Sequence, residues 1–286
     1  MSEITIDGVA LHWEQRGEGP ALLCVHGFCQ SSYVWRHLPR GLEGYRVITV
    51  DLKGFGASAK PCDGRYGPLD QAELLARFIH ELKLRDLVLI GHSFGGAVCL
   101  HVATRPELDL RGLVLMDSAA LPQPLPYFMG LLCPRLLGEA IVGLSPLGLC
   151  ARLGMLLAYR NRGAATPDAA REYASAAARP GGRRAMLATA RQMLPGDWNA
   201  FTAGYPHIGV PTLIVWGRND PIVPLEVGKR LAKIIPGARL ATIDRCGHCP
   251  QEERPEQTIE LIRPFLDSLL LAPAPHAPSP SSEVSE

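Results

Sequence analysis

A chain of 286 residues with 47% hydrophobic content and net charge +1 suits one large domain, or one domain carrying an insertion. The near-neutral balance argues against a nucleic-acid partner, because no basic excess is present to neutralise phosphates. The opening Met1-Ser2-Glu3-Ile4 has neither a basic segment nor a long apolar one, so no signal peptide is expected, and a cytoplasmic location is.

Ile4-Thr5-Ile6 and Leu11-His12-Trp13-Glu14 flank Asp7-Gly8, which predicts an opening hairpin. Ala21-Leu22-Leu23-Cys24-Val25 is a short unbroken apolar run, as in a strand buried on both faces. It leads into His26-Gly27-Phe28, after which Ser31 or Ser32 can cap a helix through Tyr33, Val34, Trp35 and Leu38. Residues 45–50 read as the next strand, ending at Asp51, and a loop rich in Gly and Pro follows. Apolar spacing at Leu74, Leu75, Phe78, Ile79 and Leu82 predicts a helix over 69–82. A strand over 87–90, a helix to about Thr104 and a strand over 113–116 ending at Asp117 come next. Strands alternating with helices imply a mostly parallel sheet covered on both faces.

The alternation stops from about residue 121 to 205, a stretch that reads as a helical insertion. It resumes with a strand over 212–216, a helix over 225–235, a strand over 239–243 and a last helix from near Pro255 to about Leu271. The Pro- and Ser-rich residues 272–286 have no apolar content to bury and are expected to be disordered.

The chain is organised around Gly91-His92-Ser93-Phe94-Gly95, placed between an apolar strand and a small-residue helix. In that setting G-x-S-x-G is a sharp turn that lifts a serine hydroxyl clear of the backbone and leaves the amide of Phe94 free to meet an anion. A serine hydroxyl is a poor nucleophile near neutral pH and needs a base, which in turn needs an orienting acid. Asp220, in Gly217-Arg218-Asn219-Asp220-Pro221, and His248, in Cys246-Gly247-His248-Cys249, each follow a later strand. Chemistry in an open α/β sheet collects at such strand ends. Asp117 also ends a strand and is the rival acid, but it precedes the insertion. The second oxyanion donor is expected after the 21–25 strand, at the amide of Phe28.

Two motifs are decoys. Gly54-Phe55-Gly56-Ala57-Ser58-Ala59 superficially fits a dinucleotide fingerprint, but Pro61, Gly64, Gly67 and Pro68 forbid the helix that pyrophosphate binding requires. Cys246-Gly247-His248-Cys249 spells C-x-x-C, yet it follows the last strand and does not open a thioredoxin-like helix. Cys24, Cys99, Cys133 and Cys150 lie in apolar stretches and read as reduced thiols, and no second Cys or His pair sits at zinc-ligand spacing.

Taken together, His26-Gly27-Phe28, Asp51–Ser58, Gly91–Gly96, Gly217–Pro224 and Cys246–Pro250 make the chain resemble the α/β-hydrolase superfamily, in its soluble bacterial esterase and carbon–carbon-bond hydrolase branch. The resemblance implies an eight-stranded, mostly parallel sheet with helices on both faces. It divides the chain into a core over 1–120 and 206–271, a helical cap over 121–205 and a tail over 272–286. Serine at position 93 speaks against the dehalogenases and epoxide hydrolases, which carry aspartate there. The implied chemistry is ester hydrolysis through an acyl-enzyme. Ser93, His248 and Asp220 form the triad, the amides of Phe28 and Phe94 hold the oxyanion, and no metal or organic cofactor takes part. Thioesters, carbon–carbon bonds and cofactor-free perhydrolysis use the same residues, and a catalytically silent binding protein is the non-enzyme alternative. The apolar stretches 128–133 and 140–151 are broken by prolines and charges, so a stable membrane span is not expected; part of them is expected to line a pocket for a hydrophobic small-molecule substrate.

Overall fold

The computed structural model describes residues 2–124 and 126–271; the expected disordered tail, residues 272–286, lies outside them. Asp7 and Gly8 both adopt positive φ, at 50° and 77°, the turn that matches strand twist, and they join β1 (Ser2–Ile6) to β2 (Val9–Arg16). The remaining strands are β3 (Ala21–Val25), β4 (Arg46–Val50), β5 (Leu87–His92), β6 (Leu110–Met116), β7 (Thr212–Gly217) and β8 (Arg239–Ile243). They form one eight-stranded sheet in the order β1-β2-β4-β3-β5-β6-β7-β8. The pairs β1–β2 and β2–β4 are antiparallel and the other five are parallel. Every crossover between parallel strands is filled by helix, as the alternation implied.

The unbroken apolar runs follow from burial on two faces. In β3, Leu23 and Val25 point into one core with Phe78 and Val98, while Leu22 and Cys24 point into the other with Leu38 and Ile262. The first core lies under α2 (Pro68–Glu81) and α3 (Phe94–Ala103). The second lies under α1 (Leu38–Gly41) and the long C-terminal helix Pro255–Leu271. The helix expected to run from Ser31 through Leu38 is instead broken in two. Ser31 caps a 3-10 turn, Ser32–Trp35, and α1 starts afresh at Leu38. Pro39 explains the break, since it has no amide to donate to a continuing helix.

Between β6 and β7 the described residues hold no strand. They form α4 (Tyr127–Leu132), α5 (Arg135–Leu144), α6 (Leu147–Ala158), α7 (Pro167–Ala178), α8 (Gly182–Gln192) and α9 (Trp198–Thr202). Pro126, Pro134 and Pro146 stand at the starts of α4, α5 and α6, and Thr166 caps α7 through Ala169 N. Proline at a start is compatible with the helix it opens and ends the one before it. After β7 come α10 (Leu225–Ile234), β8, the short α11 (Pro250–Glu253) and α12 (Pro255–Leu271). No single described helix is long and apolar enough to cross a membrane.

Candidate active site

The turn after β5 is as tight as the glycines allow. Ser93 sits at φ 51° and ψ −118°, a conformation L residues rarely adopt, and it immediately precedes α3. A side chain at Gly95 would run into the carbonyls of Val25 and His26, so β3 and the turn meet backbone to backbone. At Gly91 a Cβ would lie 2.7 Å from the Gly95 carbonyl and 2.8 Å from Cys99 Sγ. Ser93 N donates to Met116 O at 2.9 Å, which pins the strained residue to the neighbouring strand β6.

Three strand ends then converge. His248 Nε2 lies 2.9 Å from Ser93 Oγ, and His248 Nδ1 lies 2.7 Å from Asp220 Oδ2. With Nδ1–H donating to the carboxylate, Nε2 is the free base that accepts the serine proton. Asp220 is fixed in turn. Its Oδ1 accepts the amides of Ile222 at 2.7 Å and Val223 at 3.0 Å. All three side chains are buried. Phe94 begins α3, where an amide has no intrahelical acceptor, and Phe28 follows β3 in the adjoining loop.

The rival acid, Asp117, lies beside this chain of hydrogen bonds rather than in it. Its Oδ1 accepts Gly217 N at 2.9 Å, and its Oδ2 is buried with no donor in reach. Burial first, and then the neighbouring Asp220 carboxylate, push the Asp117 pKa well above the ordinary range. A protonated Asp117 resolves the orphaned oxygen, because Oδ2–H then donates to Asp220. Asp117, Asp220 and His248 place donor atoms within 4.8 Å of one another. That set is poorly suited to a cation, since Asp220 is already engaged by an imidazole and two amides.

Several supporting residues had no signal in the sequence. The loop holding His248 is clamped from both sides: Glu253 accepts the amides of Gly247 at 3.0 Å and Cys249 at 3.2 Å. His248 N donates to Ala158 O at 3.0 Å, at the end of α6. The other oxygen of Glu253 takes Asn161 N at 2.8 Å, so this carboxylate also ties down the chain leaving α6. Glu252, fully enclosed, pairs with Arg36 and with Tyr159 Oη. His92, the variable residue of the serine motif, donates Nε2–H to the His248 carbonyl at 2.7 Å. Burial lowers the pKa of His92 and of His26; His26 accepts Leu52 N at Nε2 and donates Nδ1–H to Gly27 O, while His92 Nδ1 faces Gln30 Oε1 at 2.9 Å. An acidic pair in a first helical turn ordinarily reads as solvated charge, which is why Glu252 and Glu253 escape sequence reasoning.

The cysteine decoy is inert by its surroundings. Cys246 and Cys249 are free and buried, and burial pushes both thiols up, away from the thiolate that redox chemistry needs.

A cavity of about 550 Å³ opens beside Ser93 and His248, between the sheet edge and helices α4–α9. Phe28, Met129, Val142, Met186, Trp198 and Val223 contribute to its wall. No Lys, Arg, Asp or Glu is among the described residues that line it.

Comparison with known proteins agrees with this architecture. The chain is 30% identical over 279 residues to the uncharacterized hydrolase YugF of Bacillus subtilis (strain 168), covering 93% of this chain and 97% of that one. It is 31% identical over 274 residues to the 2-hydroxymuconate semialdehyde hydrolase of Pseudomonas putida, covering 92% and 93%. The solved structure of a thermophilic esterase from Thermogutta terrifontis superposes with a TM-score of 0.78 at 28% identity, covering 94% of this chain and 99% of that one. Residues 20–255 match the family defined by the alpha/beta hydrolase fold. With that match, the sheet order and the strained serine turn, the chain belongs to the α/β-hydrolase family, and it is an enzyme of the hydrolase kind.

Proposed function

We propose that the protein hydrolyses carboxylic esters whose acyl part is a medium-length chain or an aromatic group, with Ser93 as nucleophile. The observation that carries this reading is the Ser93–His248–Asp220 relay at 2.9 and 2.7 Å, opening onto an uncharged apolar cavity. His248 takes the Ser93 proton as Oγ attacks the ester carbonyl. The amides of Phe28 and Phe94 receive the developing oxyanion, the first from the loop after β3 and the second from the start of α3. His248 then protonates the leaving alkoxide, and a water activated by the same imidazole releases the acyl group. Asp220 holds the ring in the tautomer that leaves Nε2 free. Residues 121–205 act as the cap over this site, with helices α4–α8 forming the acyl pocket.

The relative from Pseudomonas putida is named for the hydrolysis of 2-hydroxymuconate semialdehyde, a substrate that carries a carboxylate. A free carboxylate entering a site wants a cation partner, whereas the cavity here is lined by no lysine or arginine among the described residues. The lining therefore favours the ester. Hydrolysis of p-nitrophenyl esters of rising acyl length, with Ser93→Ala alongside, tests the proposal. Turnover that peaks at medium chains and vanishes in the variant is the expected result. A peak at acetate removes the acyl-pocket reading, and undiminished turnover in Ser93→Ala removes the mechanism.

A further inference from the structure

The large apolar side chains left in the open are concentrated on one part of the molecule. Leu136 and Leu144 on α5 are 83% and 88% exposed, and Leu149, Leu153 and Leu157 on α6 are each about half exposed. The corner where α5 meets α6 is unpacked as well: a Cβ at Gly143 or Gly148 would meet nothing within 4 Å beyond its own helix and chain neighbours, and Gly154 further along α6 is equally open. This face is continuous with the mouth of the cavity, because Leu131, Leu153 and Leu157 are at once exposed and part of its wall. An open apolar rim around an apolar substrate cavity marks a surface that is covered when the protein works.

The charge around the rim says what covers it. Residues 121–205 carry nine arginines, no lysine and four carboxylates, a net +5 in a chain whose total is +1. Arg135 and Arg152 are exposed beside the leucines, and Arg183 reaches the corner itself, donating to Gly143 O at 3.0 Å. Glu139 is the one carboxylate on α5 and α6, and it is held between Arg135 at 3.5 Å and Arg191 at 3.8 Å. Leucines flanked by Arg135, Arg152 and Arg183 complement an anionic lipid surface, with the leucines entering the acyl region and the arginines at the phosphates. A second copy of the chain is the poorer occupant, since a two-fold contact would set two such positive faces against each other. Neither helix, at ten and twelve residues, is long enough to cross a bilayer alone, and the pair meets at a 110° bend that lets both lie in its surface.

The geometry points to a docking face: α5 and α6 settle on an anionic bilayer with the cavity mouth against the lipid, so that an acyl chain passes from the membrane to Ser93. The docking stands on the face alone; only the transfer of an acyl chain rests on the ester reading above.

Flotation of the full chain with vesicles tests this. One set contains phosphatidylglycerol in phosphatidylcholine, the other phosphatidylcholine alone. Wild type, Ser93→Ala and Leu69→Asp, which changes an exposed leucine on α2, are expected to float with the anionic set and to be released at high salt. Leu144→Asp combined with Leu149→Asp is expected to bind at least about tenfold more weakly, since each change removes a leucine from lipid and adds a repelled charge. Both positions are exposed, and an unchanged unfolding temperature confirms that the double variant folds. Wild type that stays with neither set, equal flotation with both, undiminished flotation of the double variant, or a dimer in solution that the double variant dissolves each overturns the inference. Because no outcome depends on turnover, an inactive wild type that floats refutes the ester reading alone. An active one that does not float refutes the docking alone.

Discussion

Asp117 at the end of β6 and Asp220 after β7 stand side by side, and burial together with the Asp220 carboxylate holds the Asp117 pKa well above the ordinary range. Two charged carboxylates at this depth would meet a large electrostatic cost, and only Asp220 has an imidazole beside it. Protonated, as its raised pKa favours, Asp117 donates to the Asp220 carboxylate and so helps to hold the group that orients His248.

Asp117→Asn keeps this geometry, with the amide donating to Asp220 and its oxygen still accepting Gly217 N. Ester turnover is expected to stay within a few-fold of wild type, whereas Asp117→Ala is expected to lose about tenfold or more in kcat, the worth of a hydrogen bond to a charged partner. Stability gives the sign of the protonation. A carboxyl whose folded pKa is raised favours the folded state fully only below the unfolded pKa of about 4, and loses that contribution as pH rises toward the folded value. Asp117→Asn is therefore expected to unfold at a higher temperature than wild type at neutral pH, with the gap closing near pH 4. Equal melting temperatures at both pH values would show that Asp117 is ionised like any surface acid.

Ser93 stores strain. Its φ of 51° is paid by any residue with a Cβ, whatever the rest of the side chain. Ser93→Gly and Ser93→Ala are both expected to abolish ester turnover, but Ser93→Gly is expected to be the more stable by about 1 kcal/mol, the part of the strain that exceeds the added entropy of glycine. Chemical denaturation of the two variants measures the difference directly.

The loop carrying His248 is held against the end of α6 closely enough to exclude a single methyl group. A Cβ on Gly247 would crowd the carbonyl of Ala158 and lie 2.6 Å from Arg160 N and 2.9 Å from Glu253 Oε1. Gly247→Ala must push the loop and the insertion apart, at a cost of about 1–3 kcal/mol in stability. Its larger effect is expected on kcat, because the same shift breaks the His248 N–Ala158 O bond at 3.0 Å and moves the imidazole from Ser93. Rates in which kcat falls far more than KM rises identify displacement of the base rather than damage to the pocket.

How much of this was legible in the sequence depended on range. The two-sided burial of β3 and β5 showed in their unbroken apolar runs, because alternate residues enter two different cores. Ser93, Asp220 and His248 stood out because each follows a strand, and parallel strands deliver their ends to one edge. The enclosure of Glu252 left no trace, since its partner Arg36 is 216 residues away and no local pattern encodes the pairing. The raised pKa of Asp117 was equally hidden, for it arises from burial and from contact with Asp220 across two strands. The apolar stretches 128–133 and 140–151 stood out by composition, which does not say which of their leucines the fold leaves open.

His101 makes acid stability a further measurable consequence. Its ring packs edge-on against Phe201 at 4.2 Å and lies 5.6 Å from the ring of Tyr205, fastening the end of the insertion onto α3. Burial, aided by the nearby Arg105, lowers its pKa to about 4. A histidine with a depressed folded pKa favours the folded state fully above its unfolded value of about 6.5, and that contribution is lost as pH falls toward 4, where the unfolded chain binds the proton first. The loss amounts to about 2–3 kcal/mol once the remaining solvent exposure is discounted. Wild-type unfolding free energy is thus expected to decline between pH 6.5 and 4 more steeply than that of His101→Phe, which keeps an aromatic ring in the site and removes the titration. Parallel curves for the two proteins over that window would place the acid sensitivity elsewhere, among the buried imidazoles of His26 and His92.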